Sequence, residues 1–284
     1  MSRPLRIVHA GIAAGVLAVL ACSDPTSSNR TPDQPRLPSS LRSTQAITAC
    51  GTIITAPGDY ALTRDLNDCP GHGIQIFASS VTLQLRGHIL SGGPTSVYGI
   101  NVGAASDFHG GVSRVVLKGP GVIEHFNTGI NLEQVTYSKI KNITSRLNLH
   151  GLALNSSHAN GDLLPSLYDS IIGSRFMNNR AHGVTMNGAG QSVFVGNTSR
   201  ENGRQFNGNG FFLYDADAIT LDHNQSQRNQ GYGVRVEYLS TDNRIVNNVV
   251  TGNDGGDLSD GNPACDNNTW AGNFFGHATP ACIH

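Results

Sequence analysis

The sequence lacks the features that mark nucleic-acid-binding proteins, nucleotide-dependent enzymes and zinc proteins. Among its 284 residues only Lys118, Lys139 and Lys141 are lysines, and the formal net charge is −1 at pH 7. There is no basic stripe, so nucleic acid is not an expected partner. No GxGxxG fingerprint, P-loop, HExxH motif or CxxC pair occurs, which leaves no signal for a dinucleotide, a nucleoside triphosphate or a zinc ion.

A long apolar run is also missing. The apolar run at residues 12–20 is too short to span a membrane, and it follows the positive charges of Arg3 and Arg6. A short apolar run behind a basic start is typical of a secretory signal peptide, which we predict over residues 1–21. The chain is therefore expected to be exported.

The end of this segment, Val19-Leu-Ala-Cys22, resembles a bacterial lipobox. The resemblance implies that Cys22 carries the lipid and becomes the mature N-terminus; the alternative is an ordinary signal peptide cleaved near Ala21. Ser23 is similar to the residue found in lipoproteins sorted to the outer membrane. This implies an outer-membrane or cell-surface location, with membrane contact through the lipid only. Residues 22–48 are rich in Ser, Thr and Pro, and we predict that they form a flexible tether.

The dominant pattern in the rest of the chain is a glycine followed by two apolar residues that are two positions apart. Such a pair points to one face of a strand, and a strand this short cannot bury that face alone. Copies stacked on one another form a continuous core, as in a solenoid. The pattern occurs at Gly73-Ile-Gln-Ile76, Gly99-Ile-Asn-Val102, Gly129-Ile-Asn-Leu132, Gly151-Leu-Ala-Leu154, Gly183-Val-Thr-Met186, Gly210-Phe-Phe-Leu213 and Gly233-Val-Arg-Val236.

Each copy is followed by a second apolar strand, and the later copies then carry two asparagines spaced by five. Asparagine tolerates left-handed backbone and bonds its own backbone, so it suits sharp corners, and identical corner residues can stack as amide ladders. A helical period of 3.6 fits none of these segments, so the pattern predicts a parallel β-helix. The second strands are at residues 81–83, 115–117, 140–143, 171–172, 193–195, 219–221 and 245–246, and the pairs are Asn197/Asn202, Asn224/Asn229, Asn248/Asn253 and Asn268/Asn273.

These repeats resemble the right-handed parallel β-helix proteins with pectin-lyase-like and NosD-like repeats, over residues 50–282. The resemblance implies an all-β, single-domain solenoid of about seven to eight coils. We predict an N-terminal cap at residues 49–72, the coils at residues 73–256 and a C-terminal capping coil at residues 257–284. In that last coil Trp270, Phe274 and Phe275 are expected to cover the open end.

The four cysteines other than Cys22 lie in two pairs, one near each end of the predicted solenoid. Coils stack at about 4.8 Å each, so the two ends are on the order of 35–40 Å apart. Of the three connectivities that four cysteines allow, only local pairing fits this distance. We therefore predict the disulfides Cys50–Cys69 and Cys265–Cys282, which an exported protein can form.

The positions two and four residues after each glycine point outward and form two columns on one surface. Aromatic rings offer an apolar platform to a sugar, and arginine binds a carboxylate through two parallel hydrogen bonds. We predict an acidic-polysaccharide site here, with Tyr214, Arg235 and Glu237 as catalytic candidates. The alternative is that Arg235 and Glu237 simply pair with each other on a solvated face. Expected substrate contacts in the same patch are Phe212, Asp215, Asp217 and Tyr238.

The residue before each glycine forms a third column, in which His150 and His182 fall in successive coils. A histidine pair can relay protons or bind a metal ion, so His182 is a further catalytic candidate and His150 a substrate-binding candidate. The alternative is a pair of hydrogen-bonded corner residues. Calcium is the one candidate cofactor. The candidate carboxylate ligands for calcium are Asp215, Asp217 and Asp222. Asp222 is expected on another sheet, so no metal ligand is assigned.

Two classes of function are compatible with these observations. One is an enzyme on acidic polysaccharide that works by β-elimination or C5 epimerisation. It requires Arg235, an aromatic hydroxyl and a histidine or carboxylate to converge in one groove. The other is a non-catalytic surface or periplasmic module that binds glycan or a partner protein, which needs only a flat aromatic and polar strip. A monomer is expected, since both ends of the solenoid are capped.

Overall fold

The computed structural model describes residues 43–103, 111–159 and 162–283. The predicted signal peptide, the lipid site at Cys22 and most of the tether lie outside these ranges. The first described strand, Gln45–Ile47, pairs in parallel with Gly58–Leu62. The predicted end of the tether at residue 48 is therefore too late, because this strand already belongs to the solenoid.

Three long parallel sheets make up the fold, and each coil contributes one strand to each of them. Sheet 1 contains Thr52–Ile54, Ile74–Ile76, Tyr98–Gly103, Thr128–Glu133, His150–Asn155, Val184–Asn187, Phe211–Tyr214, Tyr232–Glu237, Gly256–Asp260 and Ala278–Thr279. Sheet 2 contains Gln45–Ile47, Gly58–Leu62, Val81–Gln84, Val116–Lys118, Lys139–Lys141, Ser170–Ile172, Val193–Val195, Thr220–Asp222, Arg244–Val246 and Thr269–Ala271. Sheet 3 contains Leu66–Cys69, Ile89–Gly92, Val122–Glu124, Thr144–Arg146, Arg175–Met177, Thr198–Arg200, Gln225–Gln227, Val249–Thr251 and Phe274–Phe275.

The other regular elements are small. Val112–Ser113 pairs in parallel with Val135–Thr136, and Ser157–Ala159 forms an antiparallel pair with Asp162–Leu164. One short 3-10 turn spans Pro263–Cys265. Across the described ranges, no helix is both long and apolar enough to cross a membrane.

The predicted right-handed parallel β-helix is confirmed, with slightly more coils than expected. The nine strands of sheet 3 correspond to nine complete coils within the described residues. The additional coils come from the ends. The segment predicted to be a separate N-terminal cap forms a regular coil, in which Thr52 pairs with Ile74 of the next coil. The Gly256–Asp260 strand likewise continues sheet 1 beyond the last glycine-apolar repeat.

The core is a set of stacked apolar columns. Ile130 and Leu132 of sheet 1 are buried, as the pattern predicts, and in the three-residue strands of sheet 2 from Val116–Lys118 onward the central residue points inward, as Phe194 does. Trp270 continues that column and is only 4% exposed. Phe274, however, is 69% exposed, so the prediction that it covers the open end is wrong. It is the first residue of a strand in sheet 3 and faces away from the core.

The glycine of the repeat is required by the close approach of sheet 3 to sheet 1. The Ser199 hydroxyl lies inside this corner and donates a hydrogen bond to the carbonyl of Gly210 at 2.8 Å. A Cβ atom on Gly183 would lie 2.0 Å from the same hydroxyl oxygen. The neighbouring coil repeats this arrangement with Gly210 and Ser226. Any larger residue at the glycine position would therefore have to displace the serine.

The paired asparagines form two buried ladders, one at each end of the sheet 3 strand. At the corner between sheets 2 and 3, Asn224 Oδ1 accepts the backbone N–H of Asn197 at 2.9 Å, and Asn248 Oδ1 accepts that of Asn224 at 2.8 Å. Asn224 Nδ2 donates to the Phe194 carbonyl at 2.9 Å. The ladders satisfy backbone groups that the sharp corner removes from the sheets.

The corner between sheets 1 and 2 has a third, irregular ladder that contains one acid. Asp169 is 1% exposed, and its Oδ1 accepts the backbone N–H of Ser138 at 2.7 Å. Its Oδ2 is buried and has no partner among the described residues. Burial raises the pKa of the Asp169 carboxyl to about 7, although the hydrogen bond from Ser138 opposes the shift. An asparagine at this position could accept through its Oδ1 atom and donate through its Nδ2 atom, whereas the ionised carboxylate of Asp169 can only accept.

Both predicted disulfides are present. Cys50–Cys69 joins Cα atoms 5.3 Å apart, and Cys265–Cys282 joins Cα atoms 6.2 Å apart. Each bond closes a coil next to an end of the described solenoid, where unpaired strand edges would otherwise fray first.

We predict that Asn224→Ala destabilises the protein by about 2–4 kcal/mol, because it leaves the buried N–H of Asn197 without an acceptor. Asn127→Ala is the matched control, since Asn127 is exposed, and its effect should stay within about 0.5 kcal/mol. Urea unfolding can be followed by the fluorescence of Trp270, the only tryptophan. Equal effects of the two substitutions would contradict a structural role for the ladder.

We predict that Asp169→Asn stabilises the protein at pH 8 by about 1–3 kcal/mol. The folded-state pKa of about 7 lies above the ordinary value of 3.8, so the wild-type protein loses stability as pH rises from about 4 to 7. The variant should therefore match the wild type near pH 4 and exceed it at pH 8. Asp222→Asn is the control, and its effect on stability at pH 8 should have the opposite sign. Hydrogen bonds from Asn247 and His223 lower the pKa of Asp222, so the folded protein favours the ionised carboxylate there. A gain for Asp169→Asn that is the same at both pH values would contradict this account.

Candidate functional site

The outer face of sheet 1 brings the predicted patch together in the later coils. Phe212 pairs with Arg235 and Tyr214 with Glu237, which gives the expected two-by-two arrangement. The adjacent coils towards the N-terminus are closed by polar packing. There Asn131 Nδ2 donates to Asn101 Oδ1 at 2.8 Å, and Asn131 is buried although it is on the outer face. Polar packing therefore closes this face at Asn131.

A row of stacked rings crosses the patch. The ring centroids of His150 and His182 are 5.5 Å apart, and those of His182 and Phe212 are 4.9 Å apart, with interplanar angles of 21° and 19°. Nearly parallel rings this close overlap face to face, because rings lying side by side would need a larger separation. His182 is therefore sandwiched between His150 and Phe212, and its ring edge faces outward.

Two tyrosines form a second stack beside this row. The rings of Tyr214 and Tyr238 are 4.8 Å apart and nearly parallel, and the side chains are 37% and 56% exposed. Phe212 contacts Tyr214 at a tilt, with centroids 6.2 Å apart. Because stacking covers ring faces, a ligand on this side meets mainly ring edges and hydroxyl groups. The broad apolar platform that the sequence suggests is thus much reduced.

Arg235 is held by two neighbours. Its guanidinium forms an ion pair with Glu237, as the alternative interpretation of the sequence expects, and both side chains are partly exposed. The guanidinium carbon also lies 5.2 Å from the centroid of the Tyr232 ring, within cation–π range. These contacts fix the guanidinium on the outer face while leaving part of it accessible.

His182 is a hydrogen-bond donor rather than a base. Its Nδ1 accepts the backbone N–H of Asn209 at 2.9 Å, so the neutral ring carries its proton on Nε2. Burial, followed by the charges of His150 and Arg235, lowers the pKa of His182 to about 4. At neutral pH the imidazole is therefore uncharged, and its Nε2–H is available to an acceptor.

Four buried polar atoms in the outward columns of sheet 1 have no partner among the described residues: Nδ1 of His72, Nδ1 of His150, Oγ1 of Thr185 and Nε of Arg235. Buried polar groups are normally hydrogen-bonded, so the last three mark polar side chains near His182 that are incompletely satisfied. Sequence reasoning did not select Thr185 or Tyr232. Both occupy outward columns of the repeat, and that position is the only signal that could have indicated them.

Asp217 of the predicted patch is engaged away from Arg235. The Asp217 carboxylate accepts hydrogen bonds from the N–H and the hydroxyl of Thr241, at 2.9 and 3.1 Å, and so joins two coils at a corner. Asp215 lies in the turn after Tyr214 with a left-handed backbone (φ 50°). Asp222 is on sheet 2, as expected, where it accepts a hydrogen bond from Asn247. The described residues contain no group of three His, Cys, Asp or Glu side chains that could hold a metal ion, and this includes calcium.

Solved structures with a similar fold include glycan-active proteins. The A-module of the mannuronan C-5 epimerase AlgE4 from Azotobacter vinelandii matches with a TM-score of 0.59 and 15% identity, over 78% of this chain and 64% of that one. A mutant of the periplasmic alginate epimerase AlgG matches with a TM-score of 0.55 and 16% identity, over 76% of this chain. The enzymatically active domain of tailspike protein 2 from bacteriophage CBA120 matches with a TM-score of 0.57 and 12% identity, over 81% of this chain and 36% of that one. These likenesses show the fold alone.

The chain spans about half the length of the AlgG chain, 51%. No curated protein matches it significantly in sequence. A family model described as periplasmic copper-binding protein (NosD) matches residues 47–278, which covers the solenoid from its first described strand to its last. The periplasmic description and the two disulfides agree with the predicted export. By this match the chain belongs to the NosD family of parallel β-helix proteins.

Proposed function

We propose that this exported β-helix protein binds an acidic polysaccharide along the outer face of sheet 1, with a sugar carboxylate at Arg235. The observation that carries the proposal is the partly exposed guanidinium of Arg235, which Glu237 and Tyr232 hold on the outer face near the exposed rings of Tyr214 and Tyr238. A guanidinium binds a carboxylate through charge-assisted hydrogen bonds, and tyrosine hydroxyl groups can donate to or accept from sugar hydroxyl groups.

Arg235 is the centre of this site. Its guanidinium has five N–H donors in a fixed plane, and the ion pair with Glu237 engages only one edge of it. A uronate carboxylate can bind at another edge through charge-assisted hydrogen bonds. Glu237 then accepts from a sugar hydroxyl, and the Nε2–H of His182 donates to a sugar oxygen. The tyrosine hydroxyls at 214 and 238 extend the polar strip along the same face.

Chemistry at the sugar C5 atom, by β-elimination or epimerisation, is the second candidate function. It is favoured by the contact between Arg235 and Tyr232, which places a phenol beside the group that would neutralise the substrate carboxylate. His182 suits the role of a donor in such a reaction. A tyrosine, 214 or 232, would have to move the C5 proton. The similarity in fold to alginate epimerases supports this class by analogy only.

The copper in the family description fits the described residues poorly. All four described cysteines are in disulfides, and no set of three His, Cys, Asp or Glu side chains converges. His150 and His182 offer two nearby imidazoles, but Nδ1 of His182 is already engaged by Asn209. We therefore derive no step from a copper ion.

The location at the cell envelope is part of the same proposal. A lipid on Cys22 would hold the solenoid at the outer membrane or cell surface, and the tether would let the sheet 1 face reach a polymer outside. The protein would act as a monomer.

We predict that Arg235→Gln weakens binding of polygalacturonate or polymannuronate by about tenfold, as expected for the loss of one charge-assisted contact. Arg244→Gln on sheet 2 removes the same charge from another face and should leave affinity nearly unchanged. Isothermal titration of the purified mature protein measures both. If the two variants lose the same affinity, the site is not at Arg235.

The same polymers decide between binding and catalysis. Ultraviolet absorbance detects the unsaturated ends that β-elimination produces, and proton exchange at C5 in heavy water detects epimerisation. A signal that is lost in both Arg235→Gln and Tyr232→Phe would establish chemistry at this site. Binding without either signal would establish the non-catalytic function.

A further inference from the structure

A second charged surface lies on a different side of the solenoid. Of the eleven arginines between residues 43 and 283, six lie on sheet 3 or on the corner that leads from sheet 3 to sheet 1. They come from four successive coils. We call this set the arginine surface; it consists of Arg146, Arg175 and Arg200 on sheet 3 and Arg180, Arg204 and Arg228 at the corner.

Two carboxylates on this surface are already neutralised. Glu124 accepts a hydrogen bond from Arg146 at 2.8 Å. Glu201 lies between Arg200 and Arg228, at 3.6 and 3.8 Å. The surface therefore keeps an excess of positive charge over these two acids.

Three of the six arginines have no ion-pair partner among the described residues. Arg175, Arg180 and Arg204 are exposed, and none of the ion pairs among the described residues involves them. Arg200 adds a buried Nε atom without a partner. The last coils are acidic, since residues 208–283 contain nine Asp and Glu residues but only three arginines. The positive potential is thus concentrated on the middle coils.

Shallow cavities lie along both edges of the arginine surface. One of about 340 Å³ is lined by His125, Leu147 and Arg180, and another of about 260 Å³ by Glu201, Arg204 and Arg228. These two follow one another along the corner in the direction of the solenoid axis and form a track. Arg175 lines a third cavity, of about 390 Å³, at the opposite edge of sheet 3. Asp254 lines the second cavity and marks the acidic end of the track.

We infer that the arginine surface binds a linear polyanionic polysaccharide that lies along the solenoid axis over the middle coils. Charge complementarity favours a polyanion, and a track across successive coils favours an extended chain over a compact anion. The inference does not rest on the proposed function, because Arg235 lies on sheet 1 and takes no part in it.

The test introduces Arg175→Gln, Arg180→Gln and Arg204→Gln, with their control substitutions, into the full mature chain that already carries Arg235→Gln, so that the sheet 1 site does not hold the polymer. In about 50 mM salt we expect the affinity for polygalacturonate to fall about tenfold or more below that of Arg235→Gln alone, and the difference to shrink at high salt. The slope of log affinity against log salt should become shallower by about 2. The matched control is Arg86→Gln, Arg114→Gln, Arg244→Gln, which removes three exposed arginines from other faces. It should change affinity by less than about twofold.

The controls distinguish a specific site from unfolding, from a diffuse charge effect and from membrane binding. An unchanged unfolding midpoint shows that the triple variant is folded, as expected for exposed side chains. Equal losses in the two triple variants would mean a diffuse charge effect and would overturn the inference. So would binding to vesicles that contain phosphatidylglycerol without binding to polygalacturonate. Neutral dextran should not bind through this surface. Arg235→Gln alone reports on the sheet 1 site and serves as the reference here, so each of the two proposals can fail without the other.

Discussion

The hydrogen bonds of buried asparagine side chains at the corners are the interaction on which the rest of this solenoid depends. A chain that turns sharply between sheets leaves backbone N–H and C=O groups without a strand partner, and here those groups are buried. Asn224 and Asn229 each accept a backbone N–H from one coil and donate to a carbonyl of that coil. Because each asparagine also bonds the next one, the coils keep a common register along the axis.

The common register of the coils also sets the spacing of the outward side chains. It places outward side chains of successive coils one strand spacing apart, which is about the thickness needed for aromatic rings to stack. His150, His182 and Phe212 use this spacing, as do Tyr214 and Tyr238. The same stacking that orders these rings covers their faces. Recognition on sheet 1 therefore depends on ring edges, hydroxyl groups and the guanidinium of Arg235.

The two surfaces that we assign to polysaccharide differ in how they would bind it. The sheet 1 site is compact, partly buried and centred on one guanidinium that Glu237 and Tyr232 hold in place, so geometry would set its specificity. The arginine surface is open and charged, so salt would control its strength. Neither the family nor the fold determines this difference. A β-helix sets the positions of the outward columns but not the residue types that occupy them.

The sequence by itself determined the features that are periodic or local. Glycine-apolar repeats, asparagine pairs and the two local cysteine pairs predicted the β-helix, its columns and both disulfides, because each depends on spacing along the chain. Tertiary structure decided between the two interpretations of Arg235 in favour of its pairing with Glu237, and it alone decided that Asp217 joins a corner and that Asp169 is buried. It also decided that six arginines share one side. Arg180, Arg204 and Arg228 recur every 24 residues, close to the length of a coil, so spacing alone could have predicted their column. Arg146, Arg175 and Arg200 follow no such spacing, and only the lengths of the corners and loops between strands bring them onto sheet 3.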